Sequence, residues 1–209
     1  MMRLTSLIAC AVILGLICTN ASAQIGRELG LSGGISFIQD QDFHKELWKR
    51  GYMGGVSYGY SLADLLTLQA MIEYGQHPID ADKIEELRAA VADHEFEDNG
   101  ADYKILAVFA AAKVNPVSIV PGTFPYAIGG AGIVNVRTDD LDMYGTKWED
   151  QAKHLDKSQT ATALTLGLGF EWQPLPKISF FLEGRYVRAF LKMDDIVYYP
   201  VKAGINVSL

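Results

Sequence analysis

Cysteine is almost missing from this chain. Cys10 and Cys18 are the two cysteines in 209 residues, and both fall in an N-terminal segment that reads as a cleaved leader. Without that segment the chain holds no thiol, which leaves no disulfide framework, metal thiolate or cysteine nucleophile. Long apolar runs are missing too. After Ala23 no stretch reaches the roughly 20 continuous apolar residues that a membrane helix needs. Positive charge is thin, with 18 Lys and Arg against 25 Asp and Glu. No basic stripe or recognition helix occurs, so nucleic acid is not an expected partner. The histidines, His44, His77, His94 and His154, sit in expected outer loops and show no HExxH spacing. No local Ser-x-x-x-His arrangement recommends a nucleophile. The sequence therefore offers no catalytic residue, no metal ligand set and no cofactor site.

What is present begins with Met1-Met2-Arg3, an apolar run from Leu4 to Cys18, and Ala21-Ser22-Ala23. A charged start, an oily middle and a small-x-small end are a secretory signal, with residues 1–23 removed and Gln24 the expected new terminus. A lipoprotein signal at Cys18 is the alternative, but such a signal wants a small residue before the cysteine, and Ile17 stands there. Loss of Arg3 moves the formal net charge from -7 to -8. Residues 24–209 suit one domain.

The pattern that organises that domain is two-residue alternation. Leu164, Leu166, Leu168, Phe170 and Trp172 alternate with Thr165, Gly167, Gly169 and Glu171, so an extended strand has one oily face. Pro174 and Pro176 end it and favour a turn. Phe180, Leu182, Gly184 and Tyr186 then interleave with Phe181, Glu183, Arg185 and Val187. Tyr199, Val201, Ala203, Ile205, Val207 and Leu209 alternate with Lys202, Gly204, Asn206 and Ser208.

Similar strands are expected over 28–38, from Tyr52 to Tyr60, and from Leu66 to Tyr74, with Glu73 pointing to the polar side. The strand over 103–114 is less regular, because Leu106 and Val108 share a face with Lys104. The strand over 126–137 is thinned by Gly129, Gly130 and Gly132, which suggests tight interior packing or sharp curvature. A locally weak strand is the plainer explanation. Eight strands result, joined by short connections at one end and by polar segments at the other. The segment from Gly75 to Asp102 is acidic, and Ile84, Leu87 and Val91 are spaced for a short surface helix. Thr138 to Ser158 is polar and acidic as well.

Apolar side chains outside and polar ones inside are the rule for a closed barrel in lipid, where closure leaves no unpaired strand edge. The expected fold is all-β: an eight-stranded antiparallel transmembrane β-barrel with short periplasmic turns and longer extracellular loops. A barrel of eight strands is filled by its own side chains, whereas water-filled porins need about twice as many. Glu73, Lys104, Arg137, Glu171, Glu183, Arg185 and Lys202 are the residues expected inside, as a paired network, since unpaired charge there is costly. A gated ion path and a proton-transfer site are the sharper alternatives. Tyr52, Tyr60, Tyr74, Tyr103, Tyr126, Trp172, Tyr186, Tyr198 and Tyr199 are expected in interfacial girdles.

The stretches Gly167-Leu168-Gly169-Phe170-Glu171-Trp172 and Phe181-Leu182-Glu183-Gly184-Arg185-Tyr186, with the alternating end from Val201 to Leu209, carry a family resemblance. The chain resembles the bacterial outer-membrane beta-barrel domain family, the small porin-like or opacity-like proteins of OmpA-type barrel architecture. The resemblance covers most of residues 24–209. It implies a cell outer membrane location, a periplasmic N-terminus, and insertion by the outer-membrane assembly machinery through the C-terminal strand. Many relatives end that strand in phenylalanine, whereas this chain ends it in Leu209. No periplasmic peptidoglycan-binding domain is expected, so tethering of the cell wall is not implied.

A structural or surface-interaction role in the envelope is the expected function. The loops would serve as contact surfaces, with outer-membrane lipid and lipopolysaccharide as partners and a monomer as the assembly. A narrow channel or small-molecule transport component is the alternative. A lipid-modifying outer-membrane enzyme is another, because some eight-stranded barrels are acyltransferases or deacylases. A secreted lipocalin-like binder would instead keep its oily face inward. The acidic loops suit Ca2+ or Mg2+ bridging to anionic lipid, but lack an EF-hand pattern.

Overall fold

The computed structural model describes residues 26–39, 50–63, 65–78, 95–96, 102–115, 122–138, 143–144, 158–191 and 195–209. The expected signal segment, both cysteines, His44, His94, His154, the expected helix around Ile84, Leu87 and Val91, and most of the expected acidic loops lie outside these residues.

In chain order the strands are β1 (Arg27–Gln39), β2 (Gly51–Ala63), β3 (Leu66–Pro78), β4 (Glu95–Phe96), β5 (Asp102–Val114), β6 (Thr123–Thr138), β7 (Met143–Tyr144), β8 (Ser158–Leu175), β9 (Ile178–Phe190) and β10 (Ile196–Ser208). β4 and β7 pair with each other outside the barrel. The other eight form a closed barrel in the order β1-β10-β9-β8-β6-β5-β3-β2. Each pairs antiparallel with its neighbours, and β1 meets β10 from Glu28 opposite Ser208 to Gln39 opposite Val197. The Leu209 amide donates to the Arg27 carbonyl at 2.9 Å, completing the ladder where the two ends meet.

The connections are uneven. At the end that holds Arg27 and Ser208, strands are separated in the sequence by residues 64–65, 115–122 and 176–177, and at the other end strand ends are separated by residues 40–50, 79–101, 139–157 and 191–195. Gly122 enters β6 with φ of +78°, a left-handed conformation that favours glycine. Its carbonyl accepts from the Gln173 amide at 2.7 Å.

The alternation decides what faces outward. Leu164, Leu166, Leu168, Phe170 and Trp172 all project from β8, with Leu168 72% exposed. Leu29, Leu31, Leu68, Ile72, Leu182, Val201 and Ile205 extend this surface around the barrel. An apolar belt this continuous has no counterpart on a monomer in water and marks the lipid face. Aromatic pairs edge it: Trp172 stacks on Phe180 at 5.9 Å near the short turns, and Tyr186 meets Tyr199 edge-on at 5.6 Å toward the long loops. Tyr103, Tyr126 and Tyr198 depart from the girdle expectation, being buried inside the barrel. Their positions have the opposite parity to Leu106, Ala127 and Tyr199, so the pleat turns them inward.

The interior reverses polarity along its axis. Toward the long loops it is filled by Tyr103, Ile105, Ala107, Val134, Val136, Ala161, Ala163, Val187, Ala189 and Tyr198. Toward the short turns it is charged. β5 is therefore apolar on both faces through Ile105-Leu106-Ala107-Val108-Phe109, which explains its irregular pattern. The β6 glycines divide between faces: a Cβ on Gly132 would stand 2.6 Å from the Phe109 ring, and one on Gly130 would stand 2.7 Å from Ala111, whereas Gly129 points outward against Leu166. Two of the three thus admit tight interior packing.

Candidate functional site

The charged half of the interior is the candidate site, and register builds it. Tyr126 on β6 is opposite Gly169 on β8, Gly169 is opposite Glu183 on β9, and Glu183 is opposite Lys202 on β10. These four positions form one inward-facing row. Because Gly169 carries no side chain, Tyr126 lies across it and donates its hydroxyl to Glu183 Oε2 at 3.0 Å. A Cβ on Gly169 would collide with the Tyr126 ring.

Arg185 lies two residues along β9, on the same face as Glu183, and Glu73 projects from β3. In the barrel order β3 and β9 are on opposite walls. Glu73 Oε1 accepts from both Arg185 Nη2 and Lys202 Nζ, so this ion pair spans the lumen. Glu73 is 2% exposed and Arg185 3%. Arg185 Nε lies 3.0 Å from Glu183 Oε1, an ion-pair contact without hydrogen-bond alignment. Lys202 Nζ is 3.5 Å from the same oxygen. Two carboxylates and two cations thus balance in one buried cluster. Such a cluster is stable only while every member keeps its partners. Phe109 closes it on one side, with the Arg185 guanidinium 5.8 Å from its ring centre.

A second cluster lies nearer the short turns. Lys113 Nζ contacts Glu171 Oε2 at 2.6 Å and Glu28 Oε1 at 3.4 Å. Gln69 donates to Glu28 at 3.1 Å, and Ser179 and Asn206 donate to Glu171 Oε1. Lys113 also lies 4.9 Å from the centre of the Tyr126 ring. Tyr126 therefore joins the clusters, its ring to Lys113 and its hydroxyl to Glu183. A cavity of about 10 Å³ opens between them, lined in part by Ser57, Gln69, Glu73, Lys113, Glu183 and Lys202. It has room for about one water.

Of the seven residues expected inside, Glu73, Glu171, Glu183, Arg185 and Lys202 are in this interior. Lys104 and Arg137 are not. Lys104 shares the outward parity of exposed Leu106, between buried Tyr103 and Ile105, and Arg137 is exposed beside buried Val136. Both lie near the long-loop end, where a charge can point outward into headgroups and water rather than hydrocarbon. Lys113, Glu28 and Tyr126 are the interior partners that sequence reasoning missed, whereas Gln69 lies inward as the alternation of its strand implies. Parity with Phe109 would have located Lys113. His77, expected in a loop, is within β3 and fully buried, its ring edge-on to Tyr103 at 6.5 Å. Among the described residues, no group of three or more His, Cys, Asp or Glu could hold a metal ion.

Comparison with known proteins agrees with this architecture. The crystal structure of Neisserial surface protein A aligns with a TM-score of 0.58 at 12% identity, covering 91% of this chain and 100% of that one. A major outer membrane protein from Thermus thermophilus gives 0.53 at 10% identity, covering 90% of this chain and 100% of that one. The outer membrane protein OprG from Pseudomonas aeruginosa gives 0.49 at 14% identity, covering 91% and 99%. At these identities the first two alignments show a likeness of fold. No curated protein sequence matches the chain. The family model described as the outer membrane protein beta-barrel domain matches residues 8–208, and with eight strands closed around a filled interior the chain belongs to that family.

Proposed function

We propose that this protein is a closed, non-conducting barrel of the cell outer membrane with a structural and surface-interaction role in the envelope. The observation that carries this reading is the ion pair between Glu73 and Arg185, which ties opposite walls together across the lumen. Above it the interior is mainly apolar, with Ile105, Val134, Val187 and Tyr198 packed there and Ser36 and His77 among the buried polar side chains at that end. A continuous wet path would have to break both.

The role then belongs to what lies outside the barrel, chiefly residues 79–101 and 139–157, which follow β3 and β6 at the long-loop end. The pairing of β4 with β7 brings these two connections together. The role is non-enzymatic, the protein inserts through the outer-membrane assembly machinery, and it works as a monomer among lipid and lipopolysaccharide.

Reconstitution into planar bilayers tests the closed barrel, with no discrete conductance steps expected. Steps that respond to Glu73→Ala would replace this reading with the narrow channel. Protease treatment of intact cells tests the orientation: cleavage should fall within 79–101 or 139–157 while the barrel stays in the outer-membrane fraction.

A further inference from the structure

The wall formed by β2, β1 and β10 is thin on its inner face. Gly30 of β1 is opposite Asn206 of β10 and Ser57 of β2, and in the next inward row Ser32 is opposite Gly204 and Gly55. Large neighbours roof two of these glycines. The Phe181 ring lies over Gly204, and Glu73 crosses Gly55, where a Cβ would stand 2.9 Å from its Cγ. Over Gly30 the nearest groups are polar: a Cβ there would stand 2.6 Å from Asn206 Oδ1 and against Ser57 Oγ. The cavity between the two ion clusters is lined by Ser57, Asn206 and Glu73 together.

Two oxygens of the residues lining this cavity lack a hydrogen-bond partner among the described residues, Glu73 Oε2 and Asn206 Oδ1. Glu73 and Asn206 are 2% and 4% exposed, so bulk solvent does not satisfy them. An acceptor buried without a donor is costly. The Asn206 amide is oriented by its neighbour. Its Nδ2 donates to Glu171 Oε1 at 3.3 Å, and because a carboxylate takes only donors the amide oxygen must turn the other way, toward Gly30. Glu73 spends Oε1 on both Arg185 and Lys202, which leaves Oε2 unserved. The Ser32 hydroxyl is already committed to the Gly55 carbonyl at 3.3 Å.

What fits here must be small, carry no charge and donate twice. An anion would meet two more acceptors, and a cation would meet the Lys113 and Lys202 ammonium groups that line the same space. A volume of about 10 Å³ holds one molecule of solvent size. We infer that the cavity is a built site for a single bound water, which donates to Glu73 Oε2 and Asn206 Oδ1 above the bare backbone of Gly30. Asn206 belongs to the Glu171 cluster and Glu73 to the Arg185 cluster, so the water is a second bridge between them. It sits against β1, and Tyr126 bridges from β6 on the opposite wall. The inference goes beyond the closed barrel, to what holds its two ion clusters together.

Crystals of the folded chain in detergent, diffracting well enough to show ordered solvent, test it. Wild type should hold one peak within about 2.5–3.0 Å of both oxygens. Gly30→Ala puts a methyl group in the cradle and should lose that peak. Gly33→Ala, at an outward glycine whose Cβ would meet nothing within 4 Å, makes the same chemical change without filling the space and should keep it. Soaks in thallous acetate should give no anomalous peak at the site. An empty cavity in wild type, both oxygens bonded to protein donors, or a peak undisturbed by Gly30→Ala overturns the site. A thallium peak overturns water in favour of a monovalent cation. If Gly30→Ala does not fold, the wild-type and thallium results still decide. A continuous column of peaks up to the long loops would overturn the closed barrel as well, whereas an empty cavity in a plugged lumen leaves that reading intact.

Discussion

Tyr126 donates to Glu183 Oε2 across 3.0 Å, over the bare backbone of Gly169. The same tyrosine holds the Lys113 ammonium 4.9 Å from its ring centre. One side chain thus couples a balanced ion cluster at mid-barrel to a second cluster, richer in carboxylate, near the short turns. Tyr126→Phe keeps the ring and removes the hydrogen bond. A hydrogen bond to a charged group contributes about 1.5–3 kcal/mol, and the variant should lose about that much. Urea unfolding from vesicles measures it, and an unchanged midpoint would remove Tyr126 from the network.

Space at Gly169 gives an independent test. A methyl group there would be driven into the Tyr126 ring. Overpacking of this kind costs about 1–3 kcal/mol, so Gly169→Ala should unfold at lower urea than wild type. Combining it with Tyr126→Leu, which clears the space, should cost less than the sum of the single changes. Strict additivity would mean that the two positions do not meet.

The pair across the lumen should be the most sensitive point of the barrel. Removing one partner of a buried ion pair costs about 3–5 kcal/mol, because the other charge stays buried alone. Glu73→Ala leaves both Arg185 and Lys202 short of an acceptor, and Arg185→Ala leaves two carboxylates with Lys202. Each should lower stability by that order, and the double variant Glu73→Ala with Arg185→Ala should lose clearly less than their sum. Near-wild-type unfolding of either single variant would contradict the network.

How far the sequence could be read depended on how different the two faces of each strand are. On β3, β8, β9 and β10 one face is oily and the other small or polar, so Glu73, Glu171, Glu183, Arg185 and Lys202 were placed from alternation alone. On β5 both faces are apolar through Phe109, and no contrast remained to say which was inside. Charge alone argues for Lys104 inside, although its parity is that of Leu106. Arg137 is the same case. Charge predicts direction only at hydrocarbon depth, and near the rim the pleat decides. Tyr103, Tyr126 and Tyr198 were drawn to the girdle for a similar reason: an aromatic near a strand end suits either face. The apolar outer half of the lumen is hidden because the polar-inside rule describes a wet barrel, whereas this end of the interior is filled largely by side chains such as Ile105, Val134 and Val187.

That dependence on depth can be measured on the outside of the barrel. Leu168 is 72% exposed in the middle of β8, beside Ala127 and Gly184, where a charge meets hydrocarbon. An arginine at the bilayer midplane costs about 2–4 kcal/mol and one near the interface about 0–1. Leu168→Arg should therefore destabilise the protein in vesicles by about 2–4 kcal/mol, whereas Gln76→Arg, in the row of Lys104 and Arg137, should cost about 1 kcal/mol or less. Reversible urea unfolding of both variants in the same lipid gives the comparison. Equal effects at the two positions would mean that the outward face is not graded by depth. The headgroup level assigned to Lys104 and Arg137 would fall with it.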